Sequence, residues 1–162
     1  MSRHRTEHRY EKLTWPEIND AVDDGQVCLV PCGAVEQHGP HLPLDVDLVC
    51  PVGIANGAGR EIPDKLKVLP VVAYGYTGHV MDFPGTINQH YQHFIDHVLD
   101  ITKSLAYHGF KKIMLLNGHG SNMPNLDLVA RRTNLETDAE CILAAWWNLL
   151  TVDKTFLPKW RQ

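Results

Sequence analysis

Hydrophobic positions fall along the chain in two alternating kinds of pattern. Val27-Cys28-Leu29-Val30, Val68-Leu69-Pro70-Val71-Val72, Lys112-Ile113-Met114-Leu115-Leu116 and Cys141-Ile142-Leu143-Ala144-Ala145 are short, nearly continuous apolar runs. Runs of that length and composition are expected of strands buried on both faces. Between them the apolar residues recur at helical spacing. The clearest case runs from about Asn88 to His108, where Tyr91, Phe94, Ile95, Val98, Leu99, Thr102 and Leu105 form one broad face and Gly109 stops the helix. A first helix is predicted after Thr14, with a Thr14/Glu17 capping pattern, Pro16 in the first turn and Gly25 at the end. Others are predicted from Asp47 to about Gly59 and from about Met123 to Thr133. Strands alternating with helices imply an α/β fold of three layers, a mostly parallel sheet with helices on both faces. No repeat or linker interrupts it, so residues 1–162 read as a single domain.

The polar residues are concentrated where strands end. After the first strand comes Gly33-Ala34-Val35-Glu36-Gln37-His38-Gly39-Pro40-His41-Leu42-Pro43-Leu44-Asp45-Val46-Asp47, and after the third comes Asn117-Gly118-His119-Gly120-Ser121-Asn122. Loops at the carboxyl ends of strands are where open α/β sheets bind ligands. Glu36 and His38 are two apart, so an extended segment points both the same way. The glycines beside His119 suggest a sharp turn that presents the imidazole. Mixed oxygen and nitrogen donors without cysteine suit an open zinc, manganese or iron site rather than a closed structural zinc. Such a metal activates water and polarises a carbonyl.

The run GAVEQHGPHLPLDVD, with FPGT at Phe83 to Thr86 and NGHGSN at Asn117 to Asn122 in the same order, resembles the signature blocks of the creatininase family. The resemblance implies a creatininase-like fold and a metal-dependent amidohydrolase that cleaves a C–N bond of a small cyclic amide, formamide or related amide with metal-activated hydroxide. It implies that Glu36, His38, Asp47 and His119 are the metal ligands and catalytic residues, with Asp47 bridging. It also implies two divalent metals per site, Zn2+ first and Mn2+ or Fe2+ as alternatives, and a homo-oligomer, commonly a hexamer. His79, Thr86, Gly118, Ser121, Trp146 and Trp147 are expected around the substrate. His79 reads equally as a loop residue, and the tryptophans equally as core.

Position 121, a ligand glutamate in creatininase itself, is serine here, and the family's later block with a histidine and a glutamate is not reached. The resemblance therefore covers the first two-thirds of a family member. A short form, a second subunit completing the site, or an incomplete second metal site each fit that pattern. The competing reading is a non-catalytic or partner-dependent subunit that keeps the fold and a partial metal site.

Composition narrows the alternatives. Ten histidines in 162 residues exceed what packing requires. A net charge of -4 with dispersed lysines and arginines lacks the basic stripe of a nucleic-acid binder. No apolar run approaches the ~18 residues of a membrane span, and the basic N-terminus has no apolar segment after it. A cytoplasmic protein acting on a small molecule is expected. The four cysteines should be reduced, and Cys32 as a nucleophile lacks a positioned third group. His41 and Asp45 read as structural and solvated, and His90, His93 and His97 as a boundary on one helix. The apolar tail, Trp146 to Leu150 and Phe156 to Trp160, should be buried, in part against another subunit.

Overall fold

The computed structural model describes residues 2–152. The apolar stretch from Phe156 to Trp160 therefore lies outside the described residues. The elements run α1 (Trp15–Asp23), β1 (Val27–Cys32), α2 (Val46–Glu61), β2 (Leu66–Val68), α3 (Tyr91–Tyr107), β3 (Lys112–Asn117), α4 (Met123–Glu136), β4 (Glu140–Ala145) and a short α5 (Trp146–Leu149). The four strands form one parallel sheet in the order β2-β1-β3-β4. Alternation along the two central strands sorts the core. Cys28, Val30 and Cys32 of β1, with Ile113 and Leu115 of β3, face the side covered by α1, α3 and α4, where Ala21, Phe94, Val98, Leu126 and Val129 pack. Leu29 and Leu116 face the other side and meet Ala55 of α2. Helices on both faces give the three layers that the alternating pattern implies.

Several boundaries move for identifiable reasons. Pro31 lies inside β1 although proline is rare in a central strand. Its carbonyl accepts the Val72 N–H at 2.9 Å, so its donorless nitrogen faces the same side, beyond the end of β2, where no ladder bond is lost. The apolar run at Val68 to Val72 is not itself the second strand; only Val68 belongs to β2, whose other members are Leu66 and Lys67. Past Val68 the chain, broken by Pro70, makes isolated bonds to β1: Leu69 N–H to Leu29 O and Val72 N–H to Pro31 O, both 2.9 Å. The outer edge of β2 is covered by the N-terminal segment, with Val68 N–H donating to His8 O at 2.7 Å, which protects it from unwanted pairing. The long helix starts at Tyr91 because the His90 ring accepts the Gln92 N–H and caps it. The Thr14/Glu17 pair caps α1 as its spacing implies, with Thr14 N–H donating to Glu17 at 2.9 Å.

The docking of α2 fixes the functional end of the sheet. Pro51 lies inside this helix and has no N–H for the carbonyl four residues earlier, that of Asp47. That carbonyl packs instead between Gly33, just past β1, and Gly118, just past β3. A Cβ at Gly33 would stand 2.4 Å from it and one at Gly118 2.2 Å. Neither glycine has a positive φ, and His119 itself is extended. The chain does turn directly after His119, through a 3-10 turn at Gly120–Asn122 in which Asn122 N–H donates to His119 O at 3.1 Å; Gly118 is required by close approach rather than by backbone angle.

All four cysteines are free. Burial pushes up the thiols of Cys28, Cys32 and Cys141, the last to about 12, so Cys32 is held as a neutral core residue. Lys67 is completely buried and donates to the carbonyls of Pro63 at 2.6 Å and Leu66 at 3.3 Å.

Two predictions come from this packing. Adding a methyl at Gly118 drives Cβ into a backbone carbonyl that the helix cannot move, so Gly118→Ala should lose about 3 kcal/mol, measured by urea unfolding. Gly53→Ala, where a Cβ meets nothing within 4 Å, is the control and should not lose stability. Burial lowers the Lys67 pKa to about 8 from 10.5, so between those values the unfolded chain binds more protons than the native one. Stability should therefore rise with pH across that window, by up to about 3 kcal/mol. Lys67→Met should flatten the rise in denaturant titrations at pH 7.5 and 10.

Candidate metal centre

The sheet order reverses between β1 and β3: the crossover through α2 leads to one side of β1, and that through α3 leads to the other. This topological switch point is where doubly wound sheets open a crevice at the carboxyl ends of their strands. Both ligand-rich loops leave from it. The β1 loop is pinned early, because Ile87 N–H donates to Val35 O at 3.0 Å and Glu36 N–H to Leu44 O at 3.1 Å. That clasp returns the chain so that Asp47, in the first turn of α2, sits beside Glu36 and His38.

Glu36, His38 and Asp47 each offer one ligand atom, and these atoms lie within 4.8 Å of one another. His119 arrives from β3 on the other side of the carboxylates. Its Nδ1 is 2.9 Å from Asp47 Oδ2 and 3.3 Å from Glu36 Oε1. The His38 Nε2 is 3.3 Å from Asp47 Oδ1 and 3.9 Å from Glu36 Oε1. Asp47 thus presents a different oxygen to each imidazole, whereas Glu36 turns the same oxygen to both.

The hydrogen bonds define what the cluster lacks. His119 Nε2 lies 3.0 Å from the Tyr76 carbonyl, which can only accept, so Nε2 carries the proton there. In the neutral ring Nδ1 is then a bare lone pair facing two carboxylate oxygens. His38 repeats the arrangement: its Nδ1 lies 3.2 Å from the Glu36 carbonyl, leaving the Nε2 lone pair toward Asp47. Lone pairs converging on two nearly buried carboxylates require a cation between them. Burial of His119 disfavours its charged form, but the hydrogen bond to Asp47 and the charges of Glu36 and Asp47 outweigh burial and hold its pKa above the ordinary value. The donor set of two imidazoles and two carboxylates fits a divalent transition metal.

Residues that the sequence reading did not single out orient these groups. The fully buried Thr77 hydroxyl donates to Glu36 Oε2. The preceding Tyr76 carbonyl is the one that fixes His119. Two asparagines hold this dipeptide: Tyr76 N–H donates to Asn122 Oδ1 and Thr77 N–H to Asn88 Oδ1, each at 2.9 Å. Asn122 also donates to Gly33 O at 3.0 Å, and Asn117 brackets His119 with bonds to its N–H and carbonyl. Only the asparagines of NGHGSN carried any signal in sequence. Thr77 stands in a long irregular stretch where nothing marks it.

A cavity of about 440 Å³ opens over the cluster, lined by Glu36, His38, Asp47 and His119 together with His79, Gly118, Ser121, Trp146 and Trp147. His79 is stacked on His119 with ring centroids 6.0 Å apart, and its Nδ1 is 3.5 Å from Ser121 Oγ. The tryptophans meet edge to face at 5.8 Å. Thr86 is not in this lining; it is buried and its hydroxyl accepts the Gln37 N–H at 3.3 Å. His41 and Asp45 are exposed, and His90, the cap of α3, and His93 and His97 on α3 are exposed too, away from the cavity lining. Among the described residues no helix is long and apolar enough to cross a membrane.

Comparison with known proteins places this geometry. The creatinine amidohydrolase of Pseudomonas putida is 30% identical over 151 residues, covering 86% of this chain and 57% of that protein. The mycofactocin precursor peptide peptidase of Mycolicibacterium smegmatis is 36% identical over 102 residues, 60% of this chain and 41% of its own length. A crystal structure of creatinine amidohydrolase superposes with a TM-score of 0.78 at 28% identity, over 91% of this chain and 61% of that one. A manganese form of creatininase matches at 0.78 and 29% identity, and a Zn–Zn form of a creatininase variant at 0.77 and 29%; this chain spans 64% of each. The chain thus spans about two-fifths to two-thirds of these relatives' own length. The family model described as creatininase, creatinine amidohydrolase, covers residues 11–159, and the chain belongs to the creatininase family.

Proposed function

We propose that the chain is, or is part of, a metal-dependent amidohydrolase that cleaves a C–N bond of a small amide, with two divalent cations held at the switch point. The observation that carries this reading is the pair of imidazole lone pairs facing two shared carboxylates, with Asp47 offering one oxygen to each side. Asp47 would be shared between the two cations, His38 and His119 would each hold one, and Glu36 would contribute through the single oxygen it turns to both imidazoles. Bound divalent cations supply a water of lowered pKa, about 7 for zinc, and polarise the substrate carbonyl. Zinc or manganese suits the mixed nitrogen and oxygen set, and both occur in structures of relatives.

The rest of the cavity binds and orients. Trp146 and Trp147 supply flat apolar faces for a ring or planar amide. Ser121 Oγ and His79 Nδ1 form a short polar wall on which the amide's hydrogen-bonding groups register. Creatinine amidohydrolase, a precursor-peptide peptidase and a formylamino-pyrimidine deformylase among the relatives share amide or amide-like cleavage. That common step is the class assigned here. We also propose a homo-oligomer. β4 is the terminal strand of the sheet, Ile142 on it is half-exposed, and Tyr74, Met81, Phe83, Ile87 and Tyr91 are large apolar side chains that face solvent.

Elemental analysis of the protein after reconstitution with zinc or manganese should give between one and two metals per chain; less than about half a metal would overturn the reading. Asp47→Ala should lower metal affinity more than about 100-fold and abolish turnover on a panel of cyclic amides, formamides and ureas. His119→Ala should follow closely. Full stoichiometry and activity in Asp47→Ala would remove its bridging role. In static light scattering at micromolar concentration, a mass of 18.3 kDa, that of one chain, would contradict the oligomer.

A further inference from the structure

The two carboxylates of the centre are not equivalent, and one side chain makes them so. Both oxygens of Asp47 face imidazoles, at 3.3 and 2.9 Å. Glu36 presents only Oε1 to them, because Oε2 accepts the Thr77 hydroxyl proton. The bond is not a local turn contact: it joins residues 41 apart in sequence. A buried threonine hydroxyl ordinarily finds a backbone carbonyl of its own segment, as Thr133 does with Val129 O. Thr77 instead spends its one proton on a carboxylate from another loop, and its backbone is clamped by Asn88 to hold that aim.

Resting on the metal-centre reading above, we propose that Thr77 is a positioning residue that confines Glu36 to one-oxygen ligation and so sets the coordination number and metal preference of the centre. A carboxylate with both oxygens free can clasp a cation with two bonds. Zinc, which favours four ligands, gains least from that extra bond, and manganese, which accepts six oxygen-rich positions, gains most. Thr77 therefore tilts the site toward zinc. The same segment fixes His119 through the Tyr76 carbonyl, so the orientations of a carboxylate and an imidazole on opposite sides of the centre depend on two adjacent residues.

The test compares the wild-type chain with Thr77→Val, which keeps the shape and removes the hydroxyl, and Thr77→Ser, which restores it. Zn2+ and Mn2+ affinities are measured by competition with a chromophoric chelator, and the visible absorption of the Co2+-loaded protein reports coordination number independently of turnover. Thr77→Val should lose about 10- to 100-fold in zinc affinity with a smaller loss for manganese. Its Co2+ band should weaken as coordination number rises, and Thr77→Ser should match the wild type in both. An unchanged zinc-to-manganese ratio in Thr77→Val, or a Thr77→Ser that behaves like Thr77→Val, overturns the proposal. Should thermal melting in chelator show Thr77→Val unfolded, Thr77→Ala, which adds no bulk, carries the same comparison. A wild-type chain that binds neither metal overturns the metal-centre reading itself, and this inference with it.

Discussion

The functional end of this protein depends on one close approach, that of the Asp47 carbonyl to the backbone just beyond two adjacent strands. Gly33 and Gly118 leave no side chain in its way, and Pro51 removes the N–H that would otherwise draw that carbonyl into the helix. The helix can then seat its first turn directly over the ends of β1 and β3. Only from that position does the Asp47 side chain reach the imidazole of its own loop and the one that follows β3. A displacement of an ångström would separate the carboxylate from one or the other, so the packing constraint and the chemistry share the same atoms.

Seating two carboxylates together at a nearly buried spot is electrostatically unfavourable, and the surroundings show how the cost is met. The imidazoles are turned so that their protonated nitrogens point away to carbonyls and their lone pairs point inward. Thr77 supplies the one uncharged donor to the cluster's carboxylates among the described hydrogen bonds. No lysine or arginine is among the described ion partners of Glu36 or Asp47, which distinguishes the cluster from the ion pairs elsewhere, such as Arg132 with Glu136. The charge is left for a cation to balance.

Much of this was legible in sequence because the signals were strong. Continuous apolar runs located β1, β3 and β4, a long amphipathic period located α3, and the resemblance of the GAVEQHGPHLPLDVD and NGHGSN blocks to the family's signature pointed to Glu36, His38, Asp47 and His119, which the fold brings together. The errors share a cause. Val68 to Val72 looked like a strand because it is apolar, yet pairing with β1 favours Leu66 to Val68, and a lysine sits buried in it. The glycines around His119 do border a turn, at Gly120–Asn122, but Gly118 also provides space for a helix that is distant in sequence, which no local pattern announces. Thr77 and Tyr76 act through bonds to residues more than 40 positions away, and no local pattern encodes such partners.

The distribution of ligands along the chain also couples ion binding to the order of assembly. Glu36, His38 and Asp47 belong to one loop and the helix turn that closes it, so bringing them together loses little chain entropy. His119 is 72 residues from its partner Asp47 and joins them only when β3 lies beside β1, a long-range pairing of the kind that forms late. An ion held by three groups of the loop would therefore gain a fourth as the sheet closes. The difference between its affinities for the open and closed arrangements is added to the stability of the central strand pair. In this respect a metal bound at the cluster would be a clasp for the sheet, and its removal would loosen the fold at its middle rather than at its rim.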